Sequence, residues 1–406
     1  MRIQNARQEV RNILSFFSEH FSRPSFKFFS SYIISFIQLG KEGHTSSMVR
    51  SLVHHSVLCR PLSSFTRFLG EYRWTVEEVS RTALDRFFRA LQITVRDVLF
   101  LIVDDTLAKK TGKKIPGCGW HKDHAQNMAN VFGHQWVLSA LLCKEFLLPL
   151  WAKLYHPQGT RGAGSFYTKI TLAQKIIRAL ALPVPCKLYV LADSWYWAKT
   201  LVQVCRECGY HMISQLKSNS VLWIHGKKTN VTSFLDLVSS FREISLFVYG
   251  KTKTLRVAKF IGDIKGVGKV AVVVVKEKHK KPIYLVCTNI HLPAISIIRY
   301  YAKRWKIEQM IKDLKQRLGF GDYQARHLQA ILRHVALTLL SYFVLILLKI
   351  LQWLKDKSIS LDLSIRLLAF QVRKNILVEN ISVTFKTMEI RFKQNILDTY
   401  LEELLV

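Results

Sequence analysis

Acidic residues are scarce in this chain. Its 406 residues carry 28 Asp and Glu against 60 Lys and Arg, a formal net charge of +32. A surplus of that size repels itself unless a polyanion neutralises it, which points first to nucleic acid and second to an anionic membrane surface. Cysteine is sparse too. The seven, at positions 59, 118, 143, 186, 205, 208 and 287, are scattered, so this is not a disulfide scaffold and suits a reducing compartment. Cys205 and Cys208 form a C-x-x-C with no second such pair to complete a zinc site, and read as packing on one helix face. The first residues, Met1 to Arg7, hold no apolar stretch of the kind a signal peptide needs. The longest largely apolar run, Val335–Leu348, stops at Lys349 and falls short of the about 20 residues of a membrane span. It reads as a buried helix, and no membrane role is expected. Internal repeats and low-complexity segments are missing as well.

What the chain does have is core-forming material. Hydrophobic residues make up 49%, which excludes intrinsic disorder despite the charge. The charge is not a basic N-terminal arm. Residues 1–100 hold 14 Lys and Arg against 8 Asp and Glu, a net of +6, and the other +26 lies in residues 101–406. The binding face is therefore expected within the folded body.

The patterning divides the chain into five stretches. Residues 1–95 read as helices (Phe26–Leu39, Thr45–Leu58, Ser63–Phe68 and Val76–Leu91, the last with Thr75 as N-cap), either a DNA-binding module or a helical cap on the core. Residues 96–220 read as mixed α/β. The apolar run Asp97–Val103 is a buried strand ending in Asp104-Asp105-Thr106, and Val131–Leu142 and Phe146–Leu154 are strands joined tightly at Lys144-Glu145. Thr171–Leu182 is a helix, Lys187–Ala192 a strand ending at Asp193, Trp195–Cys208 a helix and Tyr210–Leu216 a strand. Residues 221–290 form a β-rich insertion with basic turns. Residues 291–354 return to helix, with Ile298–Arg317 amphipathic and His327–Leu354 long and apolar. Residues 355–406 are a further helical region. The fold class is α/β: a mixed-sheet core with a β-rich insertion, preceded by N-terminal helices and followed by C-terminal ones.

With acids so few, their placement carries chemical weight. Asp104, Asp105 and Asp193 end buried strands, where open α/β sheets place their sites, although strand-end acids also cap turns. Glu308 lies on the amphipathic helix. Taking Arg304 as zero, Glu308, Lys315 and Tyr301 fall at about 40°, 20° and 60° around the helix, so a carboxylate, two cations and a phenol share one strip beside the buried face. An ordinary Arg–Glu surface pair would also give part of this pattern. Three carboxylates from separate segments are suited to holding two divalent metals for phosphodiester chemistry, because unpaired they would repel one another. His121, His124 and His134 lie near the first acids, but no H-E-x-x-H or paired C-x-x-C supports zinc.

The strip Tyr301-x2-Arg304-x3-Glu308-x6-Lys315 resembles the Y-(2)-R-(3)-E-(6)-K signature of DDE transposases of bacterial insertion sequences. Asp-Asp-Thr after one apolar strand and Leu-Ala-Asp193 after another resemble the first two acid motifs of that family. The 115 residues from Asp193 to Glu308 leave room for the β-rich insertion of this branch. The resemblance covers roughly residues 20–350. It implies an RNase H-like core in which Asp104, Asp193 and Glu308 bind two Mg²⁺, with Mn²⁺ able to substitute, and Asp105 as the alternative first ligand. Asp104 is preferred because the family pattern is Asp-x-Thr, which pairs it with Thr106. Tyr301, Arg304, Lys315, Thr106 and Lys217 would support the site and contact DNA phosphates. The implied activity is cleavage at the ends of the protein's own element and transfer of the 3′-hydroxyl ends into target DNA. The implied partners are double-stranded DNA, as terminal inverted repeats and as target, and a second copy of the chain in a homodimer. The implied setting is the cytoplasm and nucleoid of a bacterium. A catalytically silent DNA-binding descendant of such an enzyme is the alternative, and a general RNase H-like repair nuclease a weaker third reading.

Overall fold

The computed structural model describes residues 6–40, 61–112, 114–123, 129–160, 162, 164–224, 226–233, 241–356 and 364–387. The expected first strand is β1, Val98–Lys109, and it is longer than its apolar run. It pairs antiparallel with β3 (Ala129–Cys143) from Phe100↔Leu142 to Lys109↔Gly133. Its other edge pairs in parallel with β5 (Lys187–Leu191), but only from Val98↔Lys187 to Ile102↔Leu191. Asp104 and Asp105 are therefore mid-strand rather than terminal. They stand just beyond the last β5 partner, where one edge of β1 is left open, and that step in the sheet does what a strand end was expected to do.

The remaining strands build outward from this centre. β4 (Phe146–Tyr155) and β2 (Gly119–Asp123) both pair with β3, and β6 (His211–Gln215) lies parallel to β5. The crossover from β5 to β6 runs through α6 (Lys199–Glu207), and α5 (Lys169–Ala179) precedes β5. The insertion extends the same sheet. β12 (Ile283–Cys287) pairs with β6, followed by β11 (Gly268–Glu277) and β10 (Lys251–Ile264). The hairpin of β7 (Val221–Ile224) and β8 (Lys227–Asn230) closes that side, and β9 (Arg242–Val248) pairs with β10. The result is the expected mixed α/β fold, with three parallel strands at its centre and antiparallel strands on both sides.

The helices surround one long core helix. α1 (Ala6–Ser15), α2 (Arg23–Leu39), α3 (Leu62–Gly70) and α4 (Val76–Leu91) precede the sheet. α4 starts as expected, with the Thr75 hydroxyl accepting from the Glu78 amide at 3.3 Å. After the sheet come α7 (Ala294–Ala302), α8 (Trp305–Arg317), α9 (Leu328–Lys355) and α10 (Ile365–Thr387). α9 has the length and hydropathy of a membrane span, which its fourteen-residue apolar run did not suggest. Its most apolar stretch is 89% buried inside the protein, so the apolarity serves a core helix. The N-terminal helices pack on one side of it, with Phe17 against Phe343 and Phe36 against His334, and β4 packs through Phe146 against Trp353. The N-terminal helices thus pack onto the core through α9.

Two local expectations differ. The helix expected over Ile298–Arg317 breaks at Lys303-Arg304, where tight bonds from Lys303 N to Tyr300 O (3.1 Å) and Arg304 N to Tyr301 O (3.0 Å) separate α7 from α8. The helix expected from Trp195 starts only at Lys199, because Asp193 captures the Trp195 and Tyr196 amides in a turn. Strands β2 and β8 are short and polar, and β7, although apolar, is only four residues long. The helix expected over Thr45–Leu58 lies outside the described residues, as does His124.

Inside α9, Arg333 is buried and donates to Leu69 O (3.0 Å) and Trp74 O (2.6 Å), with its guanidinium 4.7 Å from the Trp74 ring. It satisfies the carbonyls where α3 ends and the chain turns toward α4. Arg333→Ala is expected to cost about 2–4 kcal/mol by stranding these acceptors and leaving a void. The urea midpoint of unfolding measures this, and a change under about 0.5 kcal/mol, typical of a surface site, would show that the contacts are incidental.

Candidate active site

β1 alternates its side chains across the sheet, and that alternation separates the two adjacent aspartates. Asp104 faces α8. Its Oδ2 accepts from Arg304 Nη1 at 2.9 Å, and the other arm of the same guanidinium bonds Glu308 Oε1. Arg304 thus bridges two acids that lie far apart in the sequence. Asp105 faces elsewhere: Lys169 Nζ donates to its Oδ2 at 2.8 Å, Gln135 Nε2 donates to the same oxygen, and the Tyr196 hydroxyl donates to Oδ1 at 3.3 Å. With those partners it ties α5 and the segment after Asp193 to β1.

Asp193 sits just past β5. Its Oδ1 accepts the Trp195 amide at 2.9 Å and the Tyr196 amide at 3.3 Å, while Ser214 Oγ donates to its carbonyl at 2.7 Å. One carboxylate oxygen is thus used for the turn. Its charge is felt by both Asp104 and Tyr301, which puts it in the electrostatic neighbourhood of those two groups. Burial pushes Asp104 up to about 6, and the charges of Asp105 and Asp193 push the same way, against Arg304 and the Asp105 amide. Burial also pushes the Tyr301 phenol up to about 12, so it is a neutral hydrogen-bonding group beside Arg304.

The remaining expected residues are divided. Thr106 is buried on the same side of β1 as Asp104. Lys315 Nζ donates to Leu107 O at 2.7 Å, fastening the far end of α8 to β1. Lys217 is exposed in the turn after β6, and among the described residues no hydrogen bond or ion pair links it to the acids. Lys110, close after the first acids, donates to Tyr323 O at 2.7 Å and stands 3.6 Å over the Tyr323 ring. His134 is a core histidine. Pro116 O can only accept, so Nε2 carries the proton and Nδ1 accepts from the Tyr323 hydroxyl at 2.7 Å. Burial pushes its pKa down to about 4, which keeps it neutral. The sequence reading missed Lys169, Gln135, Tyr196 and Tyr323, because none carries a motif and each is defined only by what it meets across the sheet.

Among the described residues, no group of three or more His, Cys, Asp or Glu side chains is arranged to hold a metal ion as it stands. The donor chemistry nevertheless suits a hard divalent cation, since β1, the turn after β5 and α8 each offer a carboxylate. The electrostatics fit as well, because a buried carboxyl raised by neighbouring acids is relieved by added positive charge. Arg304 holds two of the three with its own positive charge. The ionised form of Asp104 is disfavoured by folding. Its penalty is absent below about pH 4, where the carboxyl is protonated in both states, grows as pH rises, and is complete above about pH 6, at about 2–3 kcal/mol. Asp104→Asn is therefore expected to raise thermal stability at pH 7.5 and to change it little at pH 4, with melting curves as the measure. An unchanged or lowered melting temperature at pH 7.5 would show that the Arg304 bridge outweighs the burial.

No well-characterised protein matches the chain closely enough to lend it an activity. The family model of the transposase DDE domain matches residues 96–344, the stretch that runs from just before β1 into α9 and contains all three acids. Since that match covers more than half of the chain, this protein belongs to the DDE transposase family.

Proposed function

We propose that the chain is an active DNA transposase, in which Asp104, Asp193 and Glu308 hold two Mg²⁺ ions for cutting at the ends of its own element and joining the 3′-hydroxyl ends to target DNA. Membership of the family makes it a transposase acting on DNA, and DDE transposases work with divalent metals. The observation that carries the finer reading is the Arg304 bridge, which brings a strand acid and a helix acid together beside Asp193. Bound to these carboxylates, the ions would make a water or a 3′-hydroxyl nucleophilic and stabilise the leaving oxygen.

The chain's own residues do the rest. Arg304 compensates the acids before DNA arrives and then has a planar pair of donors for a non-bridging phosphate oxygen. Tyr301, neutral and beside it, orients that guanidinium. Asp105, held by Lys169, Gln135 and Tyr196, sets the turn that carries Asp193, so its role is positioning. Lys315 holds α8 to β1 through Leu107. The +32 surplus supplies the phosphate-binding surface, and two element ends are brought together by a homodimer. The setting that fits is the bacterial cytoplasm, at the nucleoid.

The test is incubation with a labelled duplex carrying the inverted repeat that borders the gene, with Mg²⁺. Wild type should bind and cleave, Glu308→Ala should bind and not cleave, and Asp105→Asn should lose less activity than Asp104→Asn. Binding should weaken steeply between about 50 and 200 mM salt. Equal cleavage by wild type and Glu308→Ala would remove the catalytic assignment, and binding without cleavage by either would favour the silent DNA-binding descendant.

A further inference from the structure

The hairpin between β3 and β4 turns through two residues, Lys144 and Glu145, since Cys143 pairs with Phe146. Both have left-handed backbones, with φ of 46° and 68°. That is a type I′ geometry, which Asn-Gly adopts at little cost and which Lys-Glu adopts against its preference. Local strain of this kind persists where the side chains are needed, and here both are engaged.

Lys144 Nζ donates to Leu91 O at 3.0 Å and Gln92 O at 3.3 Å, capping the end of α4, and lies 3.3 Å from Asp97 Oδ2. Glu145 reaches the opposite way, to the α7–α8 break. Its Oε1 accepts from Lys303 Nζ, and its Oε2 and carbonyl accept from Lys306 Nζ. Burial works against the charge of Glu145, yet the two lysines hold its pKa down to about 2. Lys303 also lies 5.6 Å from the centre of the Phe100 ring, on the same side of β1 as Asp104. The break is thus pinned at two levels along β1, by Lys303 near Phe100 and by Arg304 at Asp104.

We propose that Glu145 is a positioning residue for the reaction: by holding Lys303 and Lys306 it fixes the α7–α8 break, and through it the placement of Arg304 and Glu308 against Asp104. The strained turn is kept because its two side chains lock the end of the N-terminal helices and the start of the Glu308 helix to the same hairpin. The catalytic part of this inference rests on the transposase reading, but the clamp itself does not.

Two variants test it. Lys144→Asn with Glu145→Gly relieves the strain and removes both side chains, and Glu145→Gln keeps the turn and removes the charge. The double variant should fold with a melting temperature near that of wild type. Amide exchange at residues 303–308 should speed up at least about tenfold in the double variant, with exchange elsewhere in the sheet unchanged. With the inverted-repeat duplex and Mg²⁺, kcat should fall about 10- to 100-fold while KM and DNA binding change little, with Glu145→Gln between the two. Unchanged exchange at 303–308 in both variants overturns the clamp. Faster exchange with unchanged kcat overturns the positioning role. If wild type does not cleave, the transposase reading fails and the exchange data alone decide the clamp.

Discussion

Bringing carboxylates together away from water is costly unless a positive charge compensates them. In this protein the compensation is one guanidinium. Arg304 touches Asp104 on β1 and Glu308 on α8. Much of the surrounding architecture serves that contact. The open edge of β1 beyond Ile102 leaves room for it, the break between α7 and α8 aims it, and the bond from Lys315 to Leu107 holds the helix that carries Glu308. An unbroken helix would carry Arg304 and Tyr301 on one rigid surface. The break lets Tyr301 be buried while Arg304 reaches the strand.

The fold was legible where a residue's role is local. β1, β5 and the insertion strands β10 to β12 announce themselves as apolar or alternating runs between basic or glycine-containing turns. α4 announces itself through Thr75 and the acids of its first turn. The family also followed from a pattern within one stretch, Tyr301 to Lys315. What was not legible depends on partners distant in sequence. Nothing local says that β1 continues past its acids, because Thr106 to Lys109 are kept in the strand by β3. Nothing local says that Lys110 is turned toward Tyr323 and away from solvent, or that Asp105 is taken by Lys169 and Tyr196.

The distinction between Asp104 and Asp105 shows the same limit from the other side. Strand alternation alone says that one of the two differs from its neighbour, but not which one faces α8. The partners supply the direction: Arg304 for Asp104, and Lys169 with Gln135 for Asp105. Charge surplus is equally ambiguous when only counted. Some lysines already have partners in the protein, as Lys110 has Tyr323 and Lys253 and Lys280 share Glu277. The surface that meets a polyanion is therefore narrower than +32 suggests.

The joint between core and insertion has a mechanical consequence. β12 pairs with β6 at Leu285↔Gln215, Val286↔Ser214 and Cys287↔Ile213, and this ladder is extended by bonds from Leu216 N to Tyr284 O and from Thr288 N to Met212 O. Hydrogen-bonded strands resist shearing, so the insertion and the strands behind the acids move as one plate. A duplex touching both cannot be accommodated by swinging the insertion aside. The bending would have to be done by the DNA, and base steps that kink easily would then be favoured even where no side chain reads them.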